Sequence, residues 1–182
     1  MNGRKVLLGV CTAMVLVNAP VPGIIQTQPA ARSTDVSWSF DEGSDETLNA
    51  SLAENGDHLQ GFWRRVPGVR GNALEFDGYM TGIWRSAADI PRLGDAFTVS
   101  AWVALDNYPW NWVPIVDQSE FQQVGYSVAI DAFGHVGFGA AVNGMWRQLT
   151  TEEELPLKKW VHVTAVFSSD SGQRFNQRKT RC

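Results

Sequence analysis

Phe97-Thr98-Val99-Ser100-Ala101-Trp102-Val103-Ala104-Leu105 is the stretch that decides the fold class. Phe97, Val99, Ala101, Val103 and Leu105 share one face, opposite Thr98, Ser100 and Trp102. Side chains alternate across an extended chain, so this period of two predicts a strand with one face on a core. The pattern returns in Val36, Trp38 and Phe40, in Leu74 and Phe76, in Tyr126, Val128 and Ile130, in Val136, Phe138, Ala140 and Val142, and in Val161, Val163, Ala165 and Phe167. Asp77-Gly78, Asp131-Ala132-Phe133-Gly134 and Asn143-Gly144 stand between such runs. Asn, Asp and Gly tolerate positive φ, so these pieces predict hairpins, and successive hairpins predict an antiparallel sheet. The one helical suggestion is Thr151-Glu152-Glu153-Glu154, a single turn with acidic residues near its start, stopped by Pro156.

A chain of 182 residues fits one domain, whose body buries roughly two thirds of its unfolded surface without covalent staples. The formal charge of −4 conceals an asymmetry. Arg4, Lys5 and Arg32 precede the body and Arg174, Arg178, Lys179 and Arg181 crowd the tail, so residues 35–172 hold eight basic residues against all 19 acidic ones, a balance of −11. Such a body repels phosphate backbones, which excludes nucleic acid as a partner. Cys11 and Cys182 lie outside the body, so it holds neither a disulfide framework nor a thiolate metal site.

Residues 1–5 are cationic, residues 6–17 form an uncharged apolar run, and small or turn-forming residues follow. This is the pattern of a secretory leader, read here as residues 1–31 with a short linker. The run is shorter than the about 20 residues of an ordinary membrane span. Export to the cell surface or beyond, with processing within residues 19–31 and no membrane contact beyond the leader, is the expectation.

Three ordered pieces carry a resemblance: Trp38-Ser39-Phe40-Asp41-Glu42-Gly43, then Gly68-Val69-Arg70-Gly71-Asn72-Ala73-Leu74-Glu75-Phe76-Asp77-Gly78, then Phe97-Thr98-Val99-Ser100-Ala101-Trp102-Val103. Pro114-Ile115-Val116-Asp117-Gln118, Tyr126-Ser127-Val128-Ala129-Ile130-Asp131 with Gly134, and Trp160-Val161-His162-Val163-Thr164-Ala165-Val166-Phe167 agree with it. Over residues 36–167 the chain resembles the laminin-G-like, concanavalin-A-like jelly-roll family. The resemblance implies an all-β fold, an antiparallel two-sheet sandwich over residues 35–172, with ligands met on edge loops or on a concave face. It specifies fold more sharply than function. Where the family continues into closing strands, residues 173–182 are basic and poor in apolar residues. They read as a non-family tail unable to supply a buried strand, which leaves the sandwich without its last strands.

Aromatic residues are the candidates for a site. Tyr108, Trp110, Asn111 and Trp112 lie between two strands, and Trp146 stands beside Arg147. Aromatic rings stack on the apolar C–H faces of sugars while nearby amides and charges meet the hydroxyls. The competing reading packs these rings on the sheet: Gly137 and Gly139 leave little bulk on one side of their strand, room that a tryptophan fills. Trp38, Trp102 and Trp160 fall in the family motifs and are assigned to the core, while Trp63 and Trp84 flank turns and carry no assignment.

Catalytic patterns are missing. No Glu-x-Asp-x-Glu strand presents carboxylates on one face, the contiguous Glu152-Glu153-Glu154 diverges, and no Gly-x-Ser-x-Gly or His-Glu-x-x-His occurs. Asp41, Glu42, Asp45, Asp57 and Asp77 offer hard oxygens suited to a structural Ca²⁺ but form no contiguous ligand loop, so no cofactor is assigned. The expectation is a non-catalytic carbohydrate-binding or adhesion module of an exported protein, with polysaccharide or glycan as partner, in the setting of the N-terminal part of a secreted glycoside hydrolase. A structural or protein-interaction domain of a larger cell-surface protein is the alternative.

Overall fold

A computed structural model describes residues 6–13, 36–41, 47–48, 57–85, 96–168 and 172–178, with side chains placed in 36–41, 57–85 and 96–168. Every strand-to-strand pairing is antiparallel, and no helix occurs among the described residues. In chain order the strands are β1 (Val6–Ala13), β2 (Val36–Trp38), β3 (Thr47–Leu48), β4 (Asp57–Gln60), β5 (Trp63–Pro67), β6 (Asn72–Phe76) and β7 (Gly82–Trp84). They continue as β8 (Ala96–Leu105), β9 (Val113–Asp117), β10 (Tyr126–Ile130), β11 (Val136–Val142), β12 (Met145–Thr150), β13 (Val161–Ser168) and β14 (Gly172–Arg178). A seven-stranded sheet has the order β14-β13-β8-β1-β6-β5, with β2 also on β1; a four-stranded sheet runs β12-β11-β10-β9, and a three-stranded one β3-β4-β7.

The alternation of β8 places its side chains as the sequence reading expects. Phe97, Val99, Ala101, Val103 and Leu105 are buried in one cluster with Val128, Ile130, Val136 and Phe138 of the four-stranded sheet and with Val161, Val163 and Ala165 of β13. Phe97 joins the layers, with its ring 4.9 Å from Tyr126, 5.1 Å from Phe167 and 6.2 Å from Phe138. The other face of β8 is less open than alternation suggests. Ser100 is only 9 % exposed against 4 % for Val99, because β8 lies between β13 and β1 in the middle of its sheet. Trp102, assigned to the core, sits half-buried on this outer face against His162 at 5.0 Å.

Two turns form hairpins. Asp131 and Gly134 join β10 to β11, and Asn143 and Gly144 join β11 to β12 with φ of 53° and 72°, the positive pair that a tight primed turn needs. Asp77-Gly78 does not: β6 belongs to the seven-stranded sheet and β7 to the three-stranded one, so the turn carries the chain between sheets. The Asp77 carboxylate accepts N–H groups of Tyr79, Met80 and Thr81 at 3.0–3.1 Å, a local turn in place of a ladder. The expected helical turn at residues 151–154 is also absent. Thr151 exchanges its N–H and hydroxyl with Val136, and the Leu155 N–H goes to Gly134, so these groups bond across to β11 and its turn rather than along a helix.

Both termini depart from the sequence reading in position. Val6–Ala13 is paired as β1 in the centre of the larger sheet; the processing region 19–31 lies outside the described residues. Gly172–Arg178 pairs with β13 from Ser168↔Gly172 to His162↔Arg178, so the basic tail does supply a strand, at the edge of the sheet. An edge strand needs backbone partners on one side only, a demand that a basic composition meets.

Candidate functional site

Loop residues 110–112 and strand β9 form one wall of a cleft of about 740 Å³, within the size range of small-molecule sites. β7, with Tyr79 before it and Arg85 after it, also lines the cleft, as do Phe97 and Val99 of the core. Among the described residues β9 pairs only with β10 and β7 only with β4, so both are edge strands, of different sheets. Trp84 and Trp110, 64 % and 66 % exposed, both line the cleft. Asn111, Asp117, Gln118 and Ser119 supply polar groups beside them.

The expected residues divide. Trp110, Asn111 and Trp112 line the cleft. Tyr108 is a tether: its hydroxyl donates to Glu154 Oε2 at 2.9 Å and lies 3.1 Å from the Leu155 carbonyl, and its ring lies where a side chain on Gly134 would be. Burial, then the hydrogen bond to Glu154 and its charge, raise the Tyr108 pKa above its ordinary value. Trp146 and Arg147 belong to β12 and are not among the lining residues. A Cβ on Gly139 would collide with the Trp146 ring, and one on Gly137 would meet the Trp112 ring at 2.5 Å, so both glycines hold a tryptophan against the outer face of the four-stranded sheet. The Trp146 indole N–H ends in that packing without an acceptor. Arg147 is exposed opposite Ala140.

Trp84, left without an assignment in the sequence, and Tyr79, which sequence reasoning did not single out, both line the cleft. Trp84 precedes Arg85, whose guanidinium donates to Asp57 Oδ1 at 2.9 Å and Oδ2 at 3.0 Å and lies 4.8 Å from the Trp38 ring centre. Trp38 Nε1 donates to the same carboxylate. Asp57 is fully buried and the Arg85 side chain is 9 % exposed, so two charges removed from water are satisfied by a forked pair, an indole N–H and a ring face. This cluster ties β2 and β4 to the end of β7 and fixes the backbone that carries Trp84.

The oxygens considered for calcium have other partners. Asp57 serves Arg85 and Trp38, Asp41 Oδ1 accepts the Asn72 N–H at 2.7 Å, and Asp77 serves its own turn. Glu42 and Asp45 lie outside the described residues. Among the described residues no group of three or more His, Cys, Asp or Glu could hold a metal ion.

The fold, the sheet order and the edge cleft now stand beside one comparison. The family model of the concanavalin A-like lectin/glucanases superfamily, laminin-G type, matches residues 77–176. The chain belongs to this superfamily. The match runs through β14 as far as Asn176, and with it the resemblance read from residues 36–167 becomes membership. No curated protein and no solved structure matches the chain. Membership supports a carbohydrate-binding or adhesion-type module and is compatible with glycan binding. Laminin-G-like domains commonly occur in extracellular proteins, and among the described residues no helix is long and apolar enough to cross a membrane.

Proposed function

We propose that the chain is a non-catalytic module of an exported protein that binds a neutral glycan chain in the cleft between β7 and β9, in the setting of the N-terminal part of a secreted glycoside hydrolase. The observation that carries this is the pair Trp84 and Trp110, two largely exposed rings that line one cleft. Exposed indoles keep apolar surface in water until a ligand's C–H faces cover it, and amide and hydroxyl groups at Asn111, Gln118 and Ser119 suit sugar hydroxyls. Charge selects among glycans. Of the described lining residues only Arg85 and Asp117 are ionic; Arg85 is engaged by Asp57, and Asp117 is exposed. A sulfated or uronate chain meets an exposed carboxylate here and an acidic body beyond it.

Affinity electrophoresis of the full chain through gels holding neutral polymers (xylan, a β-glucan, levan) or acidic ones (alginate, heparin) tests this. Retardation by a neutral polymer, insensitive to salt, is the expected result. Salt-sensitive retardation by acidic polymers alone overturns the selectivity, and silence on all of them overturns glycan binding. The second reading, a protein-interaction domain, has its own observation: Phe62 and Met80 are 78 % and 74 % exposed on turns joined by the Thr81 hydroxyl bond to the Phe62 carbonyl. Neighbouring apolar side chains held out in this way suit a protein partner.

A further inference from the structure

Two tight turns among the described residues have positive φ at both central positions. Asn143-Gly144, between β11 and β12, carries the residues that such a primed turn selects. The other is the tip between β9 and β10, where Phe121 and Gln122 have φ of 48° and 58° and the Gln123 N–H closes the turn on the Glu120 carbonyl at 2.9 Å. The left-handed region crowds a Cβ against its own backbone, and a bulky side chain there is an outlier. Phe121 is also 89 % exposed, so a large apolar ring is held in water by a backbone conformation that it disfavours. Either feature alone is an ordinary surface detail. Together they are two local costs at one residue, and burial offsets neither. Folds break local rules in this way chiefly at functional positions.

The place of the tip indicates which function. β9 lines the cleft, and Gln118 and Ser119 line it beyond the end of that strand. Phe121 follows Ser119 by two residues, which keeps their Cα atoms within about 7 Å of each other. The Gln118 N–H bonds the Tyr126 carbonyl at 2.9 Å and the Glu120 N–H the Val124 carbonyl at 3.0 Å, so the tip continues the pairing of β9 with β10. Gln122 and Gln123, both exposed, set amides beside Phe121 in the chain. We propose that Phe121 is an outlying stacking platform for the same glycan, met by sugar units that run out of the cleft past Ser119, so that the module holds a polymer more tightly than a short oligosaccharide. This rests on the reading of the cleft as a glycan site. A ring with amides beside it suits the C–H face and the hydroxyls of a sugar. Carried on a hydrogen-bonded turn, it is in place before the ligand arrives, which lowers the cost of binding.

Affinity electrophoresis in a polymer that retards the wild-type chain is to be compared with calorimetric titration of the shortest oligosaccharide of that polymer that still binds. Phe121→Ala is expected to weaken polymer binding about five- to tenfold and to leave the oligosaccharide unchanged, while Phe121→Tyr, which keeps a ring, binds both as the wild type does. Phe121→Asn combined with Gln122→Gly supplies the residues that the turn prefers. Its melting midpoint should rise by about 2–4 °C while its polymer binding falls as in Phe121→Ala. Equal polymer binding by wild type and Phe121→Ala overturns the proposal and leaves the cleft reading standing. An equal loss for polymer and oligosaccharide also overturns it, since Phe121 then acts within the cleft or on the fold. A double variant that melts no higher than the wild type contradicts it as well, because Phe121 is then at ease in its turn. A wild-type chain that no polymer retards overturns the cleft reading itself, and this extension with it.

Discussion

Two pairs of tryptophans in this molecule meet opposite fates. On the outer face of the four-stranded sheet, Trp112 and Trp146 lie against Gly137 and Gly139, each occupying the space a side chain would take. In the cleft, Trp84 of β7 and Trp110 of the loop before β9 keep about two thirds of their surface in water. Ring type and sequence neighbourhood are alike in the two pairs. The difference lies beneath the ring: where a strand omits its Cβ, the sheet packs the indole; in the cleft no such glycine floor holds it and the ring stays in water. Trp112 takes part in both regions, since it lines the cleft as well.

The largest effect is expected from filling the glycine floor. Gly139→Val drives a branched side chain into the Trp146 ring and should lower stability by about 1–3 kcal/mol, as overpacking does. Thermal melts with tryptophan emission should show a lower midpoint and a red shift as the indole leaves the sheet; an unchanged midpoint and emission mean that the ring is not packed there. In the cleft the same readout should be nearly silent. Trp110→Ala should change stability by less than about 0.5 kcal/mol yet weaken glycan binding by about tenfold or more, the size of an aromatic hot spot. A stability loss equal to that of Gly139→Val assigns both rings to packing and erases the contrast.

Tyr108 sharpens the comparison from within one loop. Tyr108→Phe keeps the ring over Gly134 and removes the hydroxyl bonds to Glu154 and Leu155, a change worth about 1 kcal/mol. Retardation by a neutral polymer should be unaltered, and loss of it would move Tyr108 from tether to binding wall. The smallest effect is acid sensitivity at the β10–β11 turn. Burial acts to raise the Asp131 pKa, but the N–H groups of His135 and Phe133 and the His135 ring outweigh it and hold the carboxyl below its ordinary value of 3.8. A depressed carboxyl stabilises the fold above its unfolded pKa and loses that contribution as pH falls through the folded one. Asp131→Asn should therefore lower the melting point slightly near neutrality and flatten its decline below about pH 4; an unchanged acid limb would show that the turn does not carry it.

How much of this was legible in the sequence depends on range. β8, β10, β11 and β13 follow from period two because a half-buried strand is a local pattern, and Asn143-Gly144 announces its turn because both residues need positive φ. The packing of Trp onto Gly137 and Gly139 was also readable, as a gap in side-chain bulk. The crossover after Asp77-Gly78 was not, since a turn motif does not say which sheet receives the next strand. Trp84 stayed unassigned for the same reason: its place in the cleft with Trp110 depends on β7 joining β4 rather than β6. Thr151 misled because its acidic neighbours suit a helix start, while its hydroxyl found Val136 on another strand.

The central claim, that the rings at the cleft edge and not those on the glycine floor meet the ligand, is tested most directly by the indole N–H resonances of the full chain. These are to be followed by NMR as a neutral oligosaccharide from a retarding polymer is added. The Trp84 and Trp110 signals are expected to shift in a saturable way while Trp102 and Trp146 stay fixed. Saturable shifts of Trp146 with Trp84 and Trp110 unmoved would place the ligand on the outer sheet face and contradict the account.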